Sequence, residues 1–150
     1  MDPGALKTCI ERLLSSMGEE AEVSVRADKR TVVDVSTTSA ERLIGAGGEA
    51  LRALNLLARK LVELKHGEEA ANFIVDINGY QEKKLEVLRQ SARMLAQRAR
   101  LFKHEVEMPP QSAYERLVVH ELFAEDPEIA TESRGEGKFR HIVLKYTTQK

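Results

Sequence analysis

The sequence predicts an α+β protein in two parts. Residues 1–79 read as an α-β-β-α-α-β half. Residues 80–150 read as a long helix, about 80–103, leading into a small α/β module. Three observations carry this. Apolar spacing switches repeatedly between three- and four-residue steps and strict alternation, the periods of helix and strand. A glycine cluster, Gly45 with Gly47 and Gly48, cuts a short helix from a longer one. Ser112 followed by Glu115 forms a capping-box pattern that starts a further helix, with a glycine-centred hairpin behind it. At 150 residues and 42% hydrophobic content, the chain suits one ordinary domain or two small ones.

Asp2-Pro3 can cap and open the first helix, Pro taking the first helical position. Leu6, Ile10, Leu13, Leu14 and Met17 fall on one stripe, and Gly18 is a natural stop. Cys9 lies beside that stripe as a small core or boundary residue. Val23 and Val25 alternate with polar residues as a strand, Asp28-Lys29-Arg30 turns the chain, and the β-branched run Thr31–Ser36 forms a second strand paired with the first. Ser39 is placed to cap a short helix over Ala40–Ile44. After the glycines, Leu51, Leu54, Leu57, Ala58, Leu61 and Leu64 predict a helix that ends at His66-Gly67. Phe73, Val75 and Ile77 alternate with Ile74 and Asp76 as a third strand, broken at Asn78-Gly79.

The long helix carries an apolar seam of Leu85, Leu88, Ala92, Leu95, Ala99 and Phe102. Its early Glu82 and Glu86 and late Arg93, Arg98, Arg100 and Lys103 complement the helix dipole and need no ligand to explain them. Arg89, Arg93 and Arg100 also fall on one stripe, for which a phosphate contact is the functional alternative. His104–Met108 reads as extended, and Pro109-Pro110 blocks helix up to Ser112. Ile129–Ser133 and Phe139–Tyr146 read as a hairpin around Gly135-Glu136-Gly137, and the last four residues are expected to fray.

Arg116 and His120 are four apart on the capped helix, so they stack on one face. Arg offers a fixed fork of charged donors, and His a ring that donates, stacks or charges near neutral pH. At helical spacing such a pair is often no more than solvated surface. Here the surrounding Ala113, Tyr114, Leu117, Val118, Val119, Leu122 and Phe123 leave Arg116 and His120 the polar edge of a packed helix. The run Pro110–His120, then Thr131-Glu132-Ser133-Arg134-Gly135-Glu136-Gly137 and Arg140-His141-Ile142-Val143-Leu144, resembles the R-three-H domain, named for Arg, three residues, then His. That resemblance implies a module binding single-stranded nucleic acid through Arg116 and His120, with Arg140 and His141 as neighbours.

In the first half, Ile44-Gly45-Ala46-Gly47-Gly48 between two helices, within this element order, resembles the type II KH domain. A turn free of side chains lets a sugar-phosphate backbone approach, and the N–H groups opening the next helix point at a phosphate. The bland alternative is a tight turn between helices. The family carries a basic residue in this loop where this chain has Ala46 and Gly47, so Arg42 and Arg52 are the cations expected to compensate. The two resemblances in this order, joined at Asn78-Gly79-Tyr80, are similar to the C-terminal part of the bacterial Jag proteins. This implies a post-transcriptional RNA-binding regulator linked to cell elongation and sporulation. It also implies a partner for the first half, either a small single-KH protein or a second copy. The family's separate N-terminal module is expected to be missing.

Composition bounds the other readings. The 23 Lys and Arg against 24 Asp and Glu leave a net charge of -1, so no global positive field advertises nucleic acid. The charge divides as -3 over residues 1–79 and +2 over residues 80–150. One cysteine excludes an internal disulfide framework and fits a reducing, cytoplasmic compartment. No signal peptide or membrane-length apolar run is visible. With no tryptophan, broad base-stacking platforms are scarce. The scattered His66, His104, His120 and His141 show no metal spacing, no nucleophile elbow occurs, and no P-loop lysine follows the glycines. The expectation is therefore a non-enzyme without cofactor or metal. It binds single-stranded RNA, with single-stranded DNA as the other nucleic acid the same contacts admit. The competing class is a protein-interaction module with little RNA binding of its own.

Overall fold

The computed structural model describes residues 1–148. The chain divides into two compact units, the first Met1–Glu82 and the second from Lys83 onward. Together they give a mixed α/β protein with one three-stranded sheet in each unit.

The first unit opens with α1 (Pro3–Ser16), capped by Asp2, whose carboxylate accepts from the Ala5 N–H at 3.0 Å. β1 (Glu22–Ala27) and β2 (Thr31–Ser36) pair antiparallel, with Val23 opposite Val35 and Val25 opposite Val33. α2 (Ala40–Ile44), a tight 3-10 turn over Ala46–Gly48 and α3 (Glu49–His66) follow. β3 (Phe73–Ile77) then joins β2 in parallel, Val33 facing Val75. The core lies between the helices and one sheet face, where Ile10, Leu14, Val33, Val35, Leu51, Ala58, Val62, Val75 and Ile77 exclude solvent. Full burial of each large side chain contributes about 1.5–3 kcal/mol.

β3 ends the sheet, and its outer edge is closed by a side chain. Asn55 on α3 is buried. Its amide nitrogen donates to the Val75 carbonyl at 3.0 Å, and its oxygen accepts from the Val75 N–H at 2.8 Å. The side chain thus completes the ladder of an edge strand. Asp76, which alternates with the apolar members of β3, is also buried, because its carboxylate caps the next helix, accepting from Gln81 N–H at 2.8 Å and Glu82 N–H at 3.3 Å.

Several expected core positions face outward. Met17 follows the last turn of α1 and is 47% exposed. On α3 the seam runs through Leu51, Leu54, Asn55, Ala58 and Val62, leaving Leu57 and Leu64 (82%) exposed. A leucine-rich helix carries two apolar stripes, and spacing alone does not say which one is covered. Ser39 precedes α2 without a side-chain cap bond.

α4 (Tyr80–Phe102) crosses the unit boundary within its first turn, and most of its length belongs to the second unit. Its seam is narrow: Ala92, Ala96 and Ala99 are fully buried, Leu88 and Leu95 partly, while Phe102 points out. The arginine stripe is paired within the unit. Glu86 meets Arg89 at 3.5 Å and Arg93 at 3.8 Å, and Arg100 is held by Asp126 and by Glu128 at 3.2 Å. β4 (Val106–Glu107), α5 (Ala113–Leu122), β5 (Ile129–Arg134) and β6 (His141–Tyr146) complete the unit, with β6 central and antiparallel to both neighbours. β6 begins two residues later than expected, because Gly137–Phe139 forms a 3-10 turn. Thr147 is held by the Glu128 carbonyl at 2.8 Å, so fraying does not begin there. Gln149 and Lys150, the end of the segment expected to fray, lie outside the described residues.

Candidate nucleic-acid interface

The second unit builds its polar edge from the start of α5. Ser112 and Glu115 exchange both capping-box bonds: Ser112 N–H donates to Glu115 Oε2 at 2.9 Å, and Glu115 N–H to Ser112 Oγ at 3.2 Å. This fixes the first turn and hence the direction in which Arg116 leaves it. Val119 and Phe123 pack the helix onto Ile129, Ile142 and Leu144 of the sheet, and Val118 is buried too. Arg116 and His120 remain half-buried on the flank.

Arg116 Nη1 donates to the Gln111 carbonyl at 2.8 Å, one of the guanidinium's five donors. His120 bonds through both ring nitrogens, Nδ1 to Thr131 Oγ1 at 2.6 Å and Nε2 to Ser133 Oγ at 3.1 Å. Residues two apart on a strand share a face, so Thr131 and Ser133 both look toward α5. Burial, then the neighbouring Arg116 charge, push the imidazole below its ordinary range. The ring is therefore neutral at pH 7.

Gln111 was not anticipated from the sequence. It is 8% exposed, its Oε1 accepts from Ile142 N–H at 3.0 Å, and its own N–H donates to the Arg140 carbonyl at 3.1 Å. It thus extends the β4–β6 ladder past the short β4 while holding Arg116. Its position directly before the N-cap was the only available signal. Thr131 and Ser133 lay within the quoted Thr-Glu-Ser run but carried no role there.

The structure does not bring His141 to His120. Arg134 pairs with His141 across the hairpin, so His141 shares Arg134's face, opposite to that of Ser133. There His141 Nδ1 donates to the Phe139 carbonyl at 2.9 Å, and Nε2 lies 3.5 Å from Glu107. Arg140 donates to the Gly135 carbonyl at 2.8 Å and closes the turn. The outward sheet face is a charge lattice. Arg134 meets Glu105 at 2.9 Å and Glu132 at 3.1 Å, and Lys145 also pairs with Glu132. Lys145 and Arg134 hold the Glu132 carboxyl below its usual range, and Arg134 does the same to Glu105. Beneath this lattice Val143 is fully buried.

In the first unit the glycines serve two close approaches. Gly45 has φ +72°, and a Cβ there would stand 2.8 Å from that of Ala50. Gly48 has φ +83°, and a Cβ would come within 3.2 Å of the Tyr80 ring. Ala46 and Gly47 form the exposed tip. Arg52 reaches back, its Nη1 donating to the Gly47 carbonyl at 3.1 Å. Arg42 turns away from the tip to Glu19, 2.6 Å from its Oε1. Of the two expected cations, only Arg52 bonds the loop.

The match to known proteins takes in all of α5, which carries Arg116 and His120. The family model of the R-three-H domain matches residues 67–146, just over half of the chain. The chain belongs to the R-three-H domain family. The match begins upstream of the Arg-His helix and takes in β3 and all of α4. Similar proteins include the RNA-binding protein KhpB of Clostridium symbiosum, 28% identical over 138 residues, covering 90% of this chain and 62% of that protein. KhpB of Bacillus subtilis is 29% identical over 143 residues, covering 93% of this chain and 68% of that protein. KhpB of Streptococcus pneumoniae is 26% identical over 136 residues, covering 90% and 41%. The chain thus spans less than two thirds of the Clostridium relative and under half of the Streptococcus one. No helix among the described residues is long and apolar enough to cross a membrane.

Proposed function

We propose that this protein binds single-stranded RNA, or DNA of the same form, and acts as a bacterial post-transcriptional regulator. It does so in the cytoplasm, as a Jag-type protein linked to cell elongation and sporulation. The observation that carries the reading is the edge of α5. Arg116 sits there half-buried, one donor fixed on Gln111 and the others free for a planar, bidentate grip on phosphate. Membership of the R-three-H domain family and likeness to proteins named RNA-binding protein KhpB support it. Arg140 enters the reading as a support for the hairpin turn, and His141 as a residue of the opposite face.

For residues 1–79 we read a type II KH-like domain, on the order α-β-β-α-α-β and the glycine loop between α2 and α3. In this reading Gly45, Ala46, Gly47 and Gly48 pass the nucleic-acid backbone and Arg52 supplies the nearby charge. Arg42, paired with Glu19, contributes less. The chemistry is recognition, not catalysis, and calls on no cofactor.

The test is titration of a labelled single-stranded oligoribonucleotide with the whole chain across a salt series. Phosphate contacts make log affinity fall linearly with log salt, by roughly 0.7 per contact on a single strand. Binding that is absent at low salt, or indifferent to salt, overturns the reading. A second reading, docking to a small single-KH protein or a second copy, has one observation in its favour. Leu56, Leu57 and Leu64 stand exposed on the outer side of α3.

A further inference from the structure

His120 has both ring nitrogens engaged inside the unit, so a phosphate could reach the ring only by displacing a hydroxyl. The two bonds differ in a way that assigns their direction. Hydroxyl donors make shorter bonds than N–H donors. The 2.6 Å separation of Nδ1 and Thr131 Oγ1 suits a hydroxyl donating to the ring, and the 3.1 Å separation of Nε2 and Ser133 Oγ suits a ring N–H donating to the hydroxyl. A neutral imidazole has one donor and one acceptor nitrogen, which this arrangement satisfies. The Ser133 oxygen then already accepts from the ring, and its own proton is left to point away. Ser133 Oγ makes no other hydrogen bond among the described residues. The chain of donors runs from Thr131 through His120 to half-buried Ser133, with Arg116 one turn of α5 before the ring, each bond polarising the next.

We infer that Ser133 is a direct phosphate donor of this interface, that His120 is its positioning residue, and that Thr131 selects the ring tautomer. The inference rests on the RNA-binding reading and gives the Thr-Glu-Ser run its role. Alternation along β5 turns both hydroxyls to α5 and sends Glu132 to the opposite face, away from the phosphate. The neutral ring of His120 at pH 7 suits a relay through one N–H better than a charge contact.

The experiment titrates labelled oligouridylate with the whole chain as wild type, Ser133→Ala, Ser133→Thr, Thr131→Val, His120→Ala and the Ser133→Ala/His120→Ala double variant. Nitrogen NMR of the imidazole runs alongside. Ser133→Ala is expected to weaken binding about five- to tenfold. Ser133→Thr restores it, and the double variant binds no worse than Ser133→Ala alone. The ring is the Nε2–H tautomer in wild type and loses that preference in Thr131→Val. Should the alanine variant melt below the assay temperature, Ser133→Cys keeps the volume with a weak donor and is expected to bind as weakly. Wild-type affinity in Ser133→Ala, additive losses in the double variant, or an Nδ1–H ring overturns the inference. If wild type binds no oligonucleotide, the RNA reading falls, and the tautomer alone decides whether the relay exists.

Discussion

Arg116 bears most of the electrostatic work proposed for the interface. Arg116→Ala is expected to cost about 1.5–3 kcal/mol of binding free energy, as for other charge-assisted contacts. The salt slope should also shrink by roughly 0.7. Both are read from oligonucleotide titrations, with thermal melts confirming the fold. Unchanged affinity and slope would make the Arg-His pair ordinary surface. His120 makes a prediction about stability. Its pKa is depressed in the folded state, so near its ordinary value the unfolded chain binds more protons. Stability is therefore intact at neutral pH. It should fall as pH drops through about 6.5, the ordinary histidine value, toward the depressed one. Melting followed from pH 7.5 to 5.5 should show this fall in wild type and a shallower one in His120→Gln. Equal slopes would remove His120 as the cause. The Arg116–His120 spacing was legible because a helix turns the interval of four into adjacency. The partners Gln111, Thr131 and Ser133 were not, because only folding brings a strand under the helix.

Among the elements, α3 shows where sequence reading stops. Its existence and ends were legible from glycines and leucines, but its buried face was rotated from the expected one. Asn55 explains the rotation. An edge strand with an unpaired N–H and C=O recruits an amide in preference to a leucine. Asn55→Leu should therefore destabilise the protein despite adding apolar surface, by about 1–3 kcal/mol for each Val75 group left unpaired. Chemical denaturation of the two proteins measures it, and a neutral or stabilising result would show that water replaces the amide at this edge. The glycine loop makes the complementary prediction. Ala46→Asp with Gly47→Asp sets two anions at an exposed tip. Position 47 has φ +60° and open space around it, which Asp tolerates. Circular dichroism should stay unchanged while oligonucleotide affinity falls. Intact affinity would show that no phosphate passes this loop.

At the scale of the whole molecule, near-neutral charge hides an uneven arrangement. Of the basic residues in 80–150, Arg89, Arg93, Arg100, Arg134 and Lys145 are held in ion pairs on α4 and on the outward sheet face. Arg116, like Arg140, is instead bonded to a carbonyl. Composition could not reveal that, because counting charges does not say which of them are spent. The exposed leucines of α3 set the remaining whole-molecule prediction. If that face docks a second copy, sedimentation at micromolar concentration should show a dimer that Leu57→Glu with Leu64→Glu dissociates and that added salt leaves intact. A monomer at all concentrations, alone and with a small single-KH protein, would retire the docking reading.

The contact between Tyr80 and Gly48 has an optical consequence. The chain holds three tyrosines and no tryptophan, so its ultraviolet emission is tyrosine's alone. With Tyr114→Phe and Tyr146→Phe in place, one emitter remains, and its ring lies against the glycine turn. A strand passing over that turn would quench or brighten a native lamp. Occupancy of the first unit could then be followed in real time without a dye, separately from events at Arg116.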